Sequence, residues 1–103
     1  ICVEEDPAAV HAAAREQLGR YFSVPSYARM SAAAGYPAAA DGEFSDAHID
    51  ALVLHGDEVT VARRLREWLA IGADEVIAAP LGAGADRAES VRRAITLVAA
   101  MAR

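Results

Sequence analysis

The sequence predicts an α/β fold with parallel strands. Residues 56–82 contain a Gly-Asp step, an amphipathic helical pattern, a glycine stop and a short apolar run that ends at Pro80. That run, residues 75–79, does not alternate polar with apolar residues, which is typical of a strand covered on both faces in a parallel sheet. A second strand is predicted before this stretch and a further helix after it.

The composition excludes several classes of protein. Of the 103 residues, 54% are hydrophobic and 24% are charged, which is typical of a globular protein. The net charge of -5 argues against nucleic-acid binding, which needs a basic surface. We expect no membrane span, because no apolar run approaches the ~20 residues that a span needs, and we expect no signal peptide. Cys2 is the only cysteine, which favours a reducing, cytoplasmic compartment.

The first strand is predicted over residues 1–5, followed by a helix. Asp6 and Pro7 form a helix-start signal, with Asp6 as the N-cap and Pro7 at the first helical position. The helix should cover about residues 7–22 and end before Pro25, because a residue that precedes proline is disfavoured in the α region.

A second helix is predicted over residues 26–34. Ser26 can serve as its N-cap, and Gly35 suits a left-handed stop at its end. Residues 36–44 contain a proline, an Asp-Gly step and no periodicity, so they are predicted to form a loop.

The third and fourth helices are predicted from capping residues and apolar spacing. Ser45 with Asp46 opens a helix over residues 46–55, and a helix over residues 58–71 ends at Gly72. The side chains that these two helices should bury are Ile49, Leu52 and Val53 in the third, and Val61, Leu65, Trp68 and Leu69 in the fourth.

The last strand and helix complete the predicted order. Val76 and Ile77, in the strand over residues 75–79, are expected to be fully buried. Asp86 should cap a final helix over residues 87–102. Two parallel strands alone leave their edges open, so they do not make a stable sheet. The sequence therefore predicts the C-terminal two βα units, with extra helices, of a (β/α)8 TIM barrel whose remainder is a partner of this chain.

The fourth helix and the strand after it carry a resemblance to a known family. A Gly-Asp step opens a helix with the pair Arg64-Leu65, and Gly72-Ala73-Asp74 precedes the final strand. This pattern resembles the C-terminal signature of the luciferase-like monooxygenase superfamily, especially its coenzyme F420-dependent oxidoreductases.

An upstream segment resembles one branch of the same enzymes. In that branch a tyrosine, a proline, a second tyrosine and a glycine–aromatic pair recur in this order. The matching residues here are Tyr21, Pro25, Tyr27, Gly35 and Tyr36. Residues 45–52 fit the same branch, so the resemblance covers nearly the whole chain.

The resemblance implies a TIM-barrel oxidoreductase that transfers hydride between FMN or coenzyme F420 and a small organic substrate. In this family earlier strands build most of the cofactor site, so no catalytic residue is carried over and the isolated chain is expected to be inactive. Leu81 and Gly82 are the candidate cofactor-binding residues. Tyr21 and Tyr27 are the candidate substrate-binding residues. A homodimer is left open as a further association.

Two groups at the predicted carboxyl edge of the strands could carry chemistry. The loop of residues 81–86 occupies the position of a phosphate cradle, yet it lacks the known glycine spacings, and Asp86 would repel a phosphate. A plain flexible loop is therefore favoured. Glu4, Glu5 or Asp6 could act as a general acid or base, but an N-cap and solvated rim residues are favoured.

For the histidines and the aromatic residues, interpretations without a chemical role are also favoured. His11, His48 and His55 lie on different predicted helices without ligand spacing, so no metal site is predicted. The aromatic residues around Pro25 either pack in the core, which is favoured, or form a lid over an apolar substrate. The alternative to an enzyme is a non-catalytic small α/β module that oligomerises through its sheet edges.

Overall fold

The computed structural model of the protein describes residues 1–37 and 44–103. Within them the chain is a small α/β protein with five α-helices and a two-stranded parallel sheet. The elements are β1 (Cys2–Val3), α1 (Pro7–Leu18), a 3₁₀-helix (Gly19–Ser23), α2 (Pro25–Ala33), α3 (Asp46–Leu52), β2 (His55–Gly56), α4 (Glu58–Ala70) and α5 (Arg87–Met101). Of the loop predicted over residues 36–44, residues 38–43 lie outside this description.

The sheet pairs β1 with a segment that the sequence predicted to be helical. Cys2 lies opposite His55 and Val3 lies opposite Gly56 in parallel register. The helix predicted over residues 46–55 is therefore wrong in its last turn, because α3 ends at Leu52. The two residues that follow are extended and buried on both sides of the sheet, which a strand achieves and a helix end does not.

A third extended segment contacts the other side of β1. The amino group of Ile1 donates to the carbonyl of Ala79 at 2.8 Å, and the amide of Leu81 donates to the carbonyl of Ile1 at 2.8 Å. These two bonds have the pattern of a parallel bridge. The amide of Cys2 points the opposite way, to Leu54 at 2.8 Å. Residues 79–81 and β2 therefore flank β1 on opposite sides.

The strand predicted over residues 75–79 is wrong. None of these residues forms regular secondary structure, Val76 is 36% exposed and Ile77 is 90% exposed. Backbone contact with β1 begins only at Ala79, whose carbonyl accepts from the amino group of Ile1. Because the two segments run parallel, residues 75–78 extend beyond the point at which Ile1 lies. Among the described residues no strand lies there to cover them, so their apolar side chains face solvent.

Three predicted helix starts, at Asp6, Ser45 and Asp86, are confirmed as N-caps, and Asp57 caps a fourth helix. The side chains of Asp6, Ser45, Asp57 and Asp86 each accept a hydrogen bond from a backbone amide in the first turn of the helix that follows. Asp6 accepts from the amide of Ala8 at 3.1 Å, and Pro7 stands at the start of α1. These bonds satisfy amides that have no partner within their own helix.

The predicted cap of α2 is wrong. Helix α2 begins at Pro25 with Val24 at the N-cap, and Ser26 is exposed inside the first turn. Proline suits the first helical position because its fixed φ is already helical and it has no amide to satisfy. The predicted stop at Gly35 is confirmed by its φ of +93°. Helix α1 ends at Leu18, earlier than predicted, and continues as the tighter 3₁₀-helix.

The core lies on both faces of β1. On one face, Cys2 packs with residues of α1, α3 and the loop before α5, namely Val10, Ala13, Ala14, Phe44, Ile49, Val53, Leu81 and Ala83. On the other face, Val3 packs with residues of α4, α5 and the segment before β2, namely Leu54, Val61, Leu65 and Ala94. Each face of the strand is thus covered by a separate layer of helices.

Three apolar residues that were predicted to be buried are exposed. Leu52 is 52% exposed, Trp68 is 49% exposed and Leu69 is 47% exposed. Strand β1 and helix α5 cover only the first turns of the apolar face of α4. Trp68 and Leu69 lie beyond this covered part, so the prediction is wrong for them. No helix among the described residues combines the length and apolar character needed to cross a membrane.

Candidate functional site

A crevice opens at the carboxyl end of β1. It is lined by Glu4, Asp6, Ala9, Ala12, Gly84, Ala85 and Arg87. In open parallel sheets ligands bind outside the carboxyl ends of the strands, where connections from neighbouring strands leave on opposite faces. The chain has such a point between β1 and residues 79–81, because α1 covers one face of β1 and α5 the other.

The loop beyond this crevice is held by hydrogen bonds. The amide of Ala83 donates to the hydroxyl of Ser90 at 3.2 Å. The side-chain amide of Gln17 donates to the carbonyl of Gly82 at 2.9 Å. Gly84 has a φ of +81°, and a Cβ there would collide with the carboxylate of Glu4. The loop therefore lies against both β1 and α5.

These residues do not fit a phosphate group. A Cβ at Gly82 would lie 3.0 Å from the carbonyl oxygen of Arg87, so this glycine permits the approach of α5 and not that of a ligand. Asp86 already accepts from the amide of Glu89 at 3.0 Å, and its carboxylate would repel an anion. Contacts within the protein thus already fill the start of α5, where a phosphate would have to bind.

The one guanidinium of the crevice is also paired. Arg87 contacts Glu16 at 2.6 Å between Nη2 and Oε2. The hydrogen bond from Arg87 lowers the pKa of the Glu16 carboxyl below its ordinary value. The positive charge of Arg87 is therefore partly neutralised before any anion arrives.

The predicted cofactor-binding and substrate-binding residues lie in different settings. Leu81 is only 6% exposed and Gly82 is buried, so the first two residues of the loop are packed inside the protein. Tyr21 and Tyr27 are 42% and 43% exposed, and their rings meet edge to face with centroids 5.6 Å apart. Side chains that pack in the core would be less exposed than these two tyrosines. All four assignments stay predictions.

Two histidines that the sequence did not connect converge on one carboxylate. His11 lies in α1, Asp50 in α3 and His55 in β2. Asp50 Oδ1 lies 2.7 Å from His11 Nε2 and 2.8 Å from His55 Nε2. The hydrogen bond from His11, more than that from His55, lowers the pKa of the Asp50 carboxyl. These three residues are called the His–Asp cluster below.

Neighbouring groups hold the His–Asp cluster in place. The other ring nitrogen of His11, Nδ1, lies 3.4 Å from Asp46 Oδ1. Asp46 is in turn bound by Arg15 at 2.5 Å, and this hydrogen bond lowers the pKa of the Asp46 carboxyl. Arg64 donates to the backbone carbonyl of Asp50 at 2.9 Å. The ring of His11 and the backbone of Asp50 are therefore both oriented by further side chains.

The third histidine lies elsewhere. His48 stacks on Tyr36 with ring centroids 5.1 Å apart, and it meets Phe44 edge to face at 5.2 Å. Burial lowers the pKa of the His48 imidazole below its ordinary value. His48 is thus a packed core residue, unlike the two histidines of the cluster.

Sequence spacing could not reveal the His–Asp cluster, because 39 positions separate His11 from Asp50. A usable signal was present in the topology. A helix that follows β1 starts beside the carboxyl end of that strand, and β2 is the neighbour of β1. Had residues 53–56 been predicted as a strand, His11 and His55 would have been expected at adjacent positions.

Comparisons of the chain with protein-family models, with curated proteins and with solved structures found no match. The resemblance to the luciferase-like family therefore stays a prediction from the residues of this chain alone.

Proposed function

We propose that this chain is the closing part of a luciferase-like oxidoreductase or monooxygenase, in which hydride passes between FMN or coenzyme F420 and an organic substrate. The observation that carries the proposal is the parallel pairing of β1 with β2 through helices, with Glu4 and the Gly84 loop in a crevice at the carboxyl end of β1. Enzymes built on parallel β/α barrels have their active sites at that edge.

An uncovered apolar surface supports the same proposal. Trp68 is 49% exposed, Ile71 is 74% exposed and Ile77 is 90% exposed. A groove between α3, α4 and the segment before Pro80 continues this surface toward Leu52. Contiguous exposed apolar patches mark interaction sites. The proposed occupant is the remainder of the barrel, whose strands would give residues 75–79 the cover that their composition predicts.

The chemistry of the described residues indicates which part of the proposed barrel would contact the cofactor and which the substrate. When bound, the cofactor ring supplies the hydride chemistry. Because the glycine loop does not fit a phosphate, the cofactor phosphate belongs to other parts of the barrel. Glu4 and the residues around Gly84 form the rim of the site. Tyr21 and Tyr27 present apolar ring edges that orient an organic substrate and exclude water from it.

A second candidate function is the non-catalytic module that oligomerises through its sheet edges. One observation favours it: residues 79–81 flank β1 on the side opposite β2. Consecutive strands of a β/α barrel are neighbours, so there the last segment would lie beside β2. The observed order instead encloses β1 in the middle of a small sheet and leaves the outer edge of β2 for a second copy.

The enzyme proposal is tested on the product of the complete reading frame that contains this sequence. We expect six βα units before Ile1, binding of FMN or coenzyme F420 in an absorbance titration, and oxidation of the reduced cofactor by substrate. Tyr27→Ala should raise KM for the substrate, whereas Arg29→Ala, an exposed change on the same helix, should not. A folded product that binds neither cofactor would refute the proposal.

Size-exclusion chromatography and circular dichroism of the 103-residue chain distinguish the two candidates. A barrel piece should form aggregates or a species without cooperative unfolding, because its apolar surface lacks its cover. The module should form a discrete oligomer that unfolds cooperatively.

A further inference from the structure

We propose that His11, Asp50 and His55 form a binding site for a divalent transition-metal ion, with zinc the best match to the ligands. Imidazole nitrogens and a carboxylate oxygen form the ligand set of many zinc sites that have three protein ligands and one open position. The proposal does not depend on the hydride-transfer function and applies equally to the non-catalytic module.

The two imidazoles already converge on the third donor, the carboxylate of Asp50. Both histidines direct Nε2 at the same oxygen of Asp50, at 2.7 Å and 2.8 Å. All three donor atoms lie within 4.8 Å of one another. Ligands of a tetrahedral zinc ion lie about 3.3 Å apart, because each is about 2.0–2.1 Å from the metal. A withdrawal of the carboxylate by about 0.5 Å gives both N–O pairs this spacing, and adjustment of the two imidazole nitrogens, which lie within 4.8 Å of each other, completes the geometry around the ion.

The burial of the ligands suits this adjustment. The side chains of His11 and His55 are 13% and 15% exposed, so packing restricts the movement of both rings. The side chain of Asp50 is 49% exposed and is free to turn toward solvent. The two rings stand nearly perpendicular, at 85°, with centroids 5.9 Å apart. Two packed imidazoles and one more exposed carboxylate leave the open position on the solvent side, where a water molecule completes the coordination.

The partners of the ligands match those of known metal sites. Histidine ligands of metals usually direct their other ring nitrogen to a carboxylate, which fixes the ring and strengthens it as a ligand. Asp46 occupies that position, 3.4 Å from His11 Nδ1. Arg15 is paired with Asp46, and Arg64 binds the backbone carbonyl of Asp50. Both nearby guanidinium groups are therefore engaged with oxygens other than those that face the ion.

The chemistry of the donors selects the class of ion. Calcium and magnesium prefer sites made of oxygen ligands, whereas imidazole suits zinc, copper, nickel and iron. Cys2 offers no competing ligand, because it is fully buried and burial raises the pKa of its thiol. His48 is occupied by its packing against Tyr36 and Phe44. The His–Asp cluster is thus the site at which a nitrogen-preferring ion should bind.

Isothermal titration of the chelator-treated protein with zinc chloride tests the site. We expect one ion per chain, no comparable binding of magnesium, and at least about 100-fold weaker zinc binding in His11→Gln and in His55→Gln, since loss of an outer partner alone costs 10–100-fold. Asp46→Asn should weaken binding by about 10-fold for that reason. His48→Gln, the matched control, should bind zinc as the unaltered protein does.

Asp50→Asn keeps the shape of the side chain and removes its charge, so it tests the site if a histidine variant fails to fold. Zinc should raise the melting temperature of the unaltered protein, since it binds the folded state, but not that of Asp50→Asn. Unchanged zinc binding in folded His55→Gln or Asp50→Asn would overturn the proposal. So would loss of binding in folded His48→Gln alone, or a thiolate charge-transfer band in the cobalt complex.

Discussion

The surroundings of β1 and the stretch from Trp68 to Pro80 have similar apolar composition and opposite burial. Beside β1, Val10 and Val61 are fully buried and Ile49 is 1% exposed. In the second stretch, Ile77 is 90% exposed. The difference teaches that apolar residues are buried only where another element supplies the opposite surface, because burial is a property of two surfaces together.

Helix α4 shows the change within a single element. Its apolar stripe begins with Val61 and Leu65, which are 0% and 6% exposed, and continues with Trp68 and Leu69, which are 49% and 47% exposed. The periodicity is the same along the whole stripe. The first part faces β1 and α5, and the second part faces the groove that the proposed barrel would fill.

The largest expected effect compares two isoleucines. Ile49→Ala should lower the free energy of unfolding by about 2–5 kcal/mol, because it leaves a cavity in the packed layer under α1 and α3. Without the proposed remainder of the barrel, Ile77→Ala should change it by less than about 0.5 kcal/mol, as exposed substitutions do. Urea denaturation followed by circular dichroism measures both. Equal losses would mean that residues 75–79 are covered in solution.

The second prediction compares two glycines with positive φ. Gly84 has a φ of +81° and Gly72 has a φ of +101°. An alanine at either position should cost about 1–2 kcal/mol of stability, because a Cβ clashes with the backbone in the left-handed region. Gly84→Ala should cost more, because its Cβ displaces Glu4 from the amide of Asp6, whereas the Cβ at Gly72 meets open space. Thermal denaturation of the two variants ranks the costs, and a larger loss at Gly72 would contradict the described loop.

The third prediction compares two serines near helix starts. Ser45 accepts from the amide of His48 at 3.1 Å, so Ser45→Ala should destabilise the protein by about 1 kcal/mol. Ser26 lies inside the first turn of α2, and Ser26→Ala should change stability by less than about 0.5 kcal/mol. Chemical denaturation at a single pH separates the two. A larger effect at Ser26 would restore it as the cap of α2.

The smallest expected effect compares two glutamates of α4. Glu58 lies 2.7 Å from Arg93 and its side chain is 44% exposed, whereas Glu67 pairs with Arg63 along the exposed face. The hydrogen bond from Arg93 lowers the pKa of the Glu58 carboxyl in the folded state. Its contribution to stability is therefore present above the ordinary pKa of glutamate and is lost as the pH falls through the lowered value.

Denaturation of Glu58→Gln and Glu67→Gln between pH 7 and pH 3 tests this effect. Because Glu58 is partly exposed, Glu58→Gln should cost at most about 1 kcal/mol at pH 7, and its difference from the unaltered protein should shrink as the pH falls. Glu67→Gln should cost no more than about 0.5 kcal/mol at pH 7. A Glu58→Gln difference that grows on acidification would reverse the assigned sign.

Local chemistry let the sequence predict most helix boundaries. Asp6, Ser45 and Asp86 cap the helices that follow them, since a short side-chain oxygen reaches an amide two or three residues ahead without help from the rest of the fold. Gly35 and Gly72 adopt positive φ where the sequence predicted helix ends, because only glycine does so without strain. The α/β class followed from the same local patterns.

The remaining features depend on contacts between distant residues. Residues 53–56 become extended because β1 offers them hydrogen bonds and two covered faces, and residues 75–79 stay exposed because no described strand lies beside them. His11 and His55 meet at Asp50 because parallel pairing sets β2 beside the helix that leaves β1. Capping and turn preferences act over a few bonds and can be read along the chain. Burial and ligand geometry require surfaces that only the folded chain brings together.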